Sequence, residues 1–149
     1  SLRVGDDEAL GWIEQTLHDA GYQVIADGSS LRLANVGSRD GDRSVDLNVE
    51  VWLLDEVRLV RFRSLLKTRG GAFEAAALAA TRGNQATVVP RFEVEELIGA
   101  SASLFTVAAT LWLYADHLSA DELIAMMALY LHEVDMIDNE LVAIVEGAQ

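Results

Sequence analysis

Residues 119–146 constrain the fold of this chain more than any other stretch. Ser119 with Glu122 three residues later is typical of a capping box, in which two side chains satisfy backbone N–H groups at a helix start. No Gly or Pro interrupts the stretch before Gly147, which suits a helix end. Apolar residues recur at helical spacing and predict one buried stripe: Leu123, Met127, Tyr130, Val134, Ile137, Leu141 and Val145. The pattern therefore predicts a long C-terminal helix.

The apolar arc of this helix is wider than one buried stripe. Further apolar residues flank it: Ile124, Leu131 and Val142 on one side, Met126 and Ile144 on the other. The arc spans about 160°, whereas a surface helix needs a stripe of only ~100°. This surplus predicts a homodimer, with Ile124 and Leu131 as candidates for its interface.

Residues 104–114 form the most apolar predicted strand. Side chains of odd number, such as Phe105, point to one face, and those of even number, such as Trp112 and Tyr114, point to the other. Because neither face is charged, we expect helices or a second subunit to cover both. Trp112 and Tyr114 are therefore further candidates for the dimer interface.

The rest of the chain changes several times between helical and strand periodicity. The pattern predicts a helix at 6–20, strands at 22–26, 31–36, 45–53 and 57–66, a helix at 72–82 that ends at Gly83-Asn84, and a strand at 86–96. Pro90 cannot donate to a ladder, so its strand should lie at an edge or carry a bulge. Trp12 lies opposite the apolar stripe of the first helix, where it either packs under a neighbouring element or contacts a partner.

This series of elements predicts one α+β domain over residues 1–149. Its core is a twisted antiparallel sheet of five to six strands with helices packed on it, in the order α-β-β-β-β-α-β-β-α. The chain is long enough to bury roughly 70% of its unfolded surface. We therefore expect a stable fold without disulfides, which the absence of cysteine excludes in any case.

One basic segment stands out in a chain of net charge −13. Between residues 58 and 69 it carries Arg58, Arg61, Arg63, Lys67 and Arg69 without one acid. These cations either protect a strand edge, pair with carboxylates of the same chain, or dock an acidic peptide or phosphate. Direct nucleic-acid binding is disfavoured because the C-terminal half is strongly acidic.

No motif predicts a catalytic, cofactor or metal site. His132 and Glu133 precede Met136 where a zinc protease motif requires its second His. Asp40-x-Asp42 lacks the Glu that closes a calcium loop. A Gly-rich phosphate loop and a nucleophile elbow are both missing. The most apolar run, residues 100–115, is shorter than the ~20 residues that span a bilayer. We therefore expect a cytoplasmic protein that is not an enzyme.

Three stretches carry a resemblance to a known family. They are Ala-Gly-Tyr-Gln-Val at 20–24, Thr-Arg-Gly-Asn-Gln at 81–85, and the closing run at 115–142. With these stretches the chain resembles the bacterial YbjN family, whose members are labelled sensory transduction regulators. The fold of that family is similar to the chaperones of type III secretion systems. Members often carry Asn-x-x-Asn at the end of the middle helix, of which this chain keeps only Asn84.

The resemblance implies a dimeric, non-enzymatic module that binds another protein. It identifies no catalytic residue in this chain. In the chaperone analogues an extended partner segment adds to the sheet. We predict a homodimeric adaptor or chaperone-like regulator that binds a segment of a partner protein. The candidates for partner binding are Arg58, Arg61, Arg63, Lys67, Arg69 and Trp12.

Two alternatives stay open at the level of the sequence. The first is a small-ligand sensor with a pocket between the sheet and the final helix, lined by Trp112, Tyr130 and Phe105. The second is an accessory protein of a nucleic-acid-binding system that uses the cations between 58 and 69.

Overall fold

The computed structural model describes residues 2–5, 7–36, 45–99 and 103–147. Within these ranges the strands are β1 (Leu2–Val4), β2 (Ile25–Asp27), β3 (Ser30–Val36), β4 (Val45–Leu54), β5 (Val57–Leu65), β6 (Arg91–Leu97) and β7 (Leu104–Tyr114). The helices are α1 (Asp7–Asp19), α2 (Phe73–Ala86) and α3 (Ala120–Val145). The loop at 37–44, with its Asp40-x-Asp42 pair, lies outside the described residues.

The strands form one antiparallel sheet, in the order β2-β3-β4-β5-β7-β6. β1 pairs with the last residues of β4, where it continues the edge on which β3 lies. β5 is central, because it pairs with β4 on one side and with β7 on the other. The predicted α+β class and the order of the predicted elements are confirmed. β1, which has three residues, is an addition that the sequence pattern did not predict.

The helices lie on one face of the sheet and enclose the core with it. Strand residues that point to this face, such as Val49 and Phe62, are buried, and so is the whole predicted stripe of α3. The capping box of α3 is confirmed. Ser119 Oγ accepts a hydrogen bond from the backbone N–H of Glu122 at 3.1 Å, and Glu122 Oε1 accepts one from the Ser119 N–H at 3.4 Å.

β7 has the predicted bounds, but the helices cover only one of its faces. Residues 106–110 are buried on both faces. Trp112 and Tyr114 point away from the helices and stay exposed. The expectation of cover by helices is therefore met on one side only. On the opposite side the centre of the strand is buried without a covering element among the described residues, and its end is exposed.

α2 continues past the predicted stop at Gly83 and ends at Ala86, so that prediction was wrong. Gly83 lies inside the helix because Phe92 packs directly on it, and a Cβ there would lie 2.6 Å from the Phe92 ring. Asn84 then holds the start of β6, since its side chain bonds both the N–H and the C=O of Phe92 at 2.8 and 2.9 Å. β6 begins at Arg91, so the predicted strand start at residue 86 was wrong, because α2 continues to that point. β6 is an edge strand, as predicted.

Candidate protein-binding face

The sheet face opposite the helices, named the open face below, is not covered by any element of the described part of the chain. Cross-strand register arranges its side chains in rows. One row contains Glu50, Arg61 and Trp112, and the next contains Trp52 and Tyr114. The open face therefore changes from charged to apolar toward the β4–β5 hairpin.

The apolar end of the open face is a contiguous patch. This apolar patch consists of Trp52 and Leu54 of β4, Val57 and Leu59 of β5, and Trp112 and Tyr114 of β7. Tyr114 is 74% exposed, Leu54 43%, Trp112 40% and Val57 39%. Contiguous apolar surface with a polar rim is typical of a site that binds another molecule. The patch is therefore the strongest candidate interface in the described residues.

Arg61 marks the boundary between the charged and apolar parts. Its guanidinium carbon lies 5.1 Å from the centroid of the Trp52 ring and 5.6 Å from that of Trp112. The two indoles meet edge to face, with centroids 6.0 Å apart. Glu50 accepts a charge-assisted hydrogen bond from Arg61. Such contacts stabilise a cation over an aromatic face, so Arg61 holds both indoles in place at one side of the patch.

The basic segment does not form one strip. Because successive side chains of a strand point to opposite faces, Arg58 lies on the helix side while Arg61 and Arg63 lie on the open face. Of the three alternatives for these cations, protection of a strand edge is excluded, since β5 is central in the sheet. Sequence spacing could not reveal the central position of β5, because its neighbours are set by the pairing of distant strands.

The cations of this segment contact carboxylates of the same chain instead. Arg63 Nη2 lies 2.9 Å from a Glu95 oxygen, and Lys67 Nζ lies 3.9 Å from an Asp46 oxygen. Arg69 contacts Glu146 at 3.2 Å through its backbone N–H, a bond that does not use its positive charge. These contacts fit the expectation of internal pairing. They leave less positive charge for an acidic partner or a phosphate than the sequence indicates.

Trp12 lies on the helix side, away from the apolar patch. It is half-exposed and lines an open groove of about 550 Å³ beside α1, together with Val60 and the loop that follows β7. Arg58 reaches this groove, where its Nη2 and Nε contact Asp116 Oδ1 at 3.0 and 3.2 Å. His117 in the same loop has a φ of 65°, which is uncommon for a residue other than Gly. The structure thus brings together two of the predicted partner-binding residues, Trp12 and Arg58.

The four candidates for the dimer interface separate into two pairs. Leu131 is only 5% exposed and belongs to the core, and Ile124 is partly buried against that core. These two residues therefore leave little surface for a second subunit. Trp112 and Tyr114 both belong to the apolar patch.

The pocket that the sequence suggested for a small ligand is not formed by its three predicted residues. The Tyr130 hydroxyl is buried, donates to the Ala109 carbonyl at 2.7 Å and accepts from Ser64 Oγ at 2.5 Å. Burial raises the pKa of Tyr130 above its usual value. Trp112 lies on the opposite face of the sheet, and Phe105 packs edge to face on a ring at the start of α2. Tyr130 and Phe105 are therefore packing residues here.

No cluster of three or more His, Asp or Glu side chains that could hold a metal ion occurs among the described residues. Across the same residues, no helix combines the length and apolar character that a bilayer crossing requires.

Sequence reasoning missed four members of the apolar patch, namely Trp52, Leu54, Val57 and Leu59. A signal for two of them was present in β4. Its outward positions are polar as far as Glu50 and become apolar at Trp52 and Leu54. That switch indicates a strand whose outer face is solvated at one end only. The members of the patch on β5 and β7 lie beside them because of the cross-strand register, which the sequence pattern alone did not supply.

Comparison with known proteins supports the fold. No protein-family model matches the chain, and no curated protein matches it. Among solved structures, the crystal structure of YbjN from E. coli, a proposed transcription regulator, is similar with a TM-score of 0.61 and 16% sequence identity. The match covers 96% of this chain and 96% of that chain. The likeness confirms the YbjN-like fold that the sequence predicted, and at this identity it describes the fold alone.

Proposed function

We propose that this protein is a cytoplasmic, non-enzymatic adaptor that binds a segment of a partner protein. The observation that carries the proposal is the apolar patch, where two aromatic rings and two aliphatic side chains are exposed side by side. Trp and Tyr are the residues most often found at the energetic centre of protein interfaces. The fold likeness to a proposed transcription regulator supports a regulatory role for the same module.

The edge strand β6 offers a second contact for a partner. In the described part of the sheet it pairs only with β7. Asn84 already binds the N–H and C=O of Phe92 at the start of the strand, so the part of β6 after Phe92 is what can accept an added strand. Its outward side chains include Glu93 and Glu95, and Glu95 also pairs with Arg63. An acidic edge in a chain of net charge −13 favours a basic partner over an acidic one.

An affinity capture with matched variants tests the adaptor function. The wild type, the double variant Leu54→Ser/Tyr114→Ser and the control Leu78→Ser are used as baits in native lysate. Leu78 is an exposed leucine of α2, on the other face of the sheet. We expect one dominant protein with the wild type and the control, and a large loss of it with the double variant. Repeated capture of no specific protein by any bait would contradict the proposal.

The homodimer that the sequence predicted stays a prediction. Because Leu131 and Ile124 are packed in their own chain, a dimer has to use other surface, such as Trp112 and Tyr114. Light scattering coupled to size-exclusion chromatography tests it. A mass near 16.2 kDa at micromolar concentration would contradict the dimer.

A small-ligand sensor is the second candidate, and the groove beside Trp12 favours it. The volume of about 550 Å³ lies within the usual range for ligand pockets, ~300–1,000 Å³. A metabolite that raises the melting temperature of the wild type but not of Trp12→Ala would support this function. The accessory nucleic-acid role is weakened, since the cations at 58, 61, 63 and 67 lie close to carboxylates.

A further inference from the structure

The size of the apolar patch indicates what can cover it. If an exposed aromatic side chain presents about 200 Å², the fractional exposures of its members correspond to roughly 400 Å² of apolar surface. A stable interface between folded proteins buries about 800 Å² on each partner. The patch is therefore about half as large as a stable dimer needs, and it fits a short segment better than a second copy.

The backbone of the sheet indicates the conformation of that segment. The patch lies on the face of β4, β5 and β7, whose N–H and C=O groups are already used in pairing with their neighbours. An extended segment lying on this face would leave its own backbone groups without partners above apolar side chains, at a cost of ~1–3 kcal/mol each. A helix satisfies its backbone internally, and it would form a second helical layer on the sheet.

The dimensions of the patch agree with a helix. Adjacent strands lie about 4.8 Å apart, so three strands with their side chains present a surface roughly 15 Å wide. A helix rises 5.4 Å per turn, so about three turns cross the three strands. Three turns present four or five apolar side chains on one face, enough to contact Trp52, Leu54, Trp112 and Tyr114.

Charge indicates what flanks the apolar face of the helix. The hairpin at the apolar end of the open face carries Asp55 and Glu56, and the carboxylate of Glu50 at the other end is already bound by Arg61. The whole chain carries −13. α1 and α3 contain no Lys or Arg, and α2 contains only Arg82. Basic flanks are therefore complementary to this face, and none of the three described helices, taken from a second copy, supplies them.

We propose that the apolar patch binds a basic amphipathic helix of about three turns that belongs to a partner protein. The inference rests on the adaptor function proposed above and names the chemistry of the bound segment. Trp52 and Trp112, held by Arg61, form the rigid part of the site, and Leu54 and Tyr114 complete it at the hairpin end.

A designed peptide serves as the probe. It has about 14 residues, capped at both termini, with Leu at i, i+3, i+4 and i+7 positions and Lys on the flanks. Two control peptides separate the contribution of the apolar stripe from that of the positive charge. A scrambled peptide has the same composition without an apolar stripe, and a third peptide keeps the Leu stripe but carries Glu in place of Lys. Binding to the whole protein is followed by calorimetry at about 150 mM salt, where long-range attraction to a charged chain is screened.

The expected result is saturable binding of the Leu/Lys peptide and binding at least tenfold weaker for both control peptides. Leu54→Ser and Tyr114→Ser should each weaken binding of the Leu/Lys peptide about tenfold, whereas Leu78→Ser should change the affinity for this peptide by less than twofold. The substituted side chains are exposed, so the variants should keep the circular dichroism spectrum of the wild type.

Three results would overturn the inference. The first is equal affinity for the Leu/Lys and scrambled peptides, and the second is unchanged affinity in the Leu54 and Tyr114 variants. The third is a wild-type dimer that both substitutions dissociate, since a second copy would then occupy the patch. The adaptor function fails separately. If a partner captured from lysate still binds the patch variants, the apolar patch is lost as the binding site, and the helix assignment with it, while an adaptor that uses another surface stands. If no bait captures a specific protein, the adaptor function itself is lost.

Discussion

Gly83 gives a sharp test of how α2 packs on the sheet. Ala is a better helix former than Gly by about 1 kcal/mol, so Gly83→Ala would stabilise an isolated helix. In this fold the added Cβ would lie 2.6 Å from two atoms of the Phe92 ring and 3.1 Å from Leu141 Cδ1. Ordinary contacts begin near 3.4 Å. The ring must therefore move by nearly 1 Å inside the core, where overpacking costs ~1–3 kcal/mol.

The net effect of Gly83→Ala follows from these two contributions. We expect the free energy of unfolding to fall by up to about 2 kcal/mol, since the overpacking cost of ~1–3 kcal/mol outweighs the gain of about 1 kcal/mol in helix propensity. Gly11→Ala in α1 is the matched control, because a Cβ at Gly11 meets nothing within 4 Å. That control should raise the free energy of unfolding by ~0.5–1 kcal/mol. Urea denaturation measures both values in the full chain.

A double-mutant cycle tests whether contact with the Phe92 ring causes the loss of stability in Gly83→Ala. With Phe92→Leu as background, the cost of Gly83→Ala should shrink, because the smaller side chain can yield to the new methyl group. If Gly83→Ala stabilised the protein as much as Gly11→Ala, the close packing of α2 on β6 would be refuted.

Two further predictions concern buried and terminal hydrogen bonds. Tyr130→Phe should lower the free energy of unfolding by ~1–3 kcal/mol, because Ser64 loses its acceptor in the core, whereas Tyr114→Phe at the surface should change it little. Burial raises the pKa of Tyr130, so its contribution to stability is complete below the usual pKa of about 10 and is lost as the pH rises above it; alkaline melting curves of the wild type and Tyr130→Phe should therefore converge. Hydrogen bonds from Thr68 and from the Arg69 backbone lower the pKa of Glu146, so its contribution is present above the usual carboxyl pKa and is lost as the pH falls. The drop in melting temperature between pH 7 and about pH 3 should be smaller in Glu146→Gln, and an equal drop would contradict the role of these bonds.

The elements with strong periodicity could be predicted from the sequence. β7 has the bounds that its alternation indicated, and α3 has the capping box and the buried stripe that Ser119 and the apolar spacing indicated. In both elements local propensity and tertiary packing favour the same structure. Agreement between these levels is the condition under which a sequence pattern specifies a fold.

The end of α2 could not be predicted because tertiary contacts override local propensity there. Gly83 and Asn84 are typical of a helix end, yet Gly83 is required inside the helix by Phe92, and Asn84 bonds the backbone of the same residue. These contacts join residues eight or nine positions apart through a turn. Helix propensity contains no information on them.

The candidate site depended on register more than on composition. The apolar patch forms only because Trp52 and Trp112 lie on strands that both flank β5, although they are far apart in the chain. The basic segment is divided for a different and local reason, since alternation along β5 sends Arg58 and Arg61 to opposite faces. Trp112 and Tyr114 were identified from the sequence because a strand without charge on either face is unusual at a solvated surface.

The three tryptophans of the chain allow the most direct test of the open face as the binding site. Trp52 and Trp112 belong to the apolar patch, and Trp12 lies beside the groove on the helix side. In the ¹⁵N-labelled protein each indole N–H gives one signal. Titration with the Leu/Lys peptide should shift the signals of Trp52 and Trp112 and leave that of Trp12 in place. A shift of the Trp12 signal alone would contradict binding at the open face.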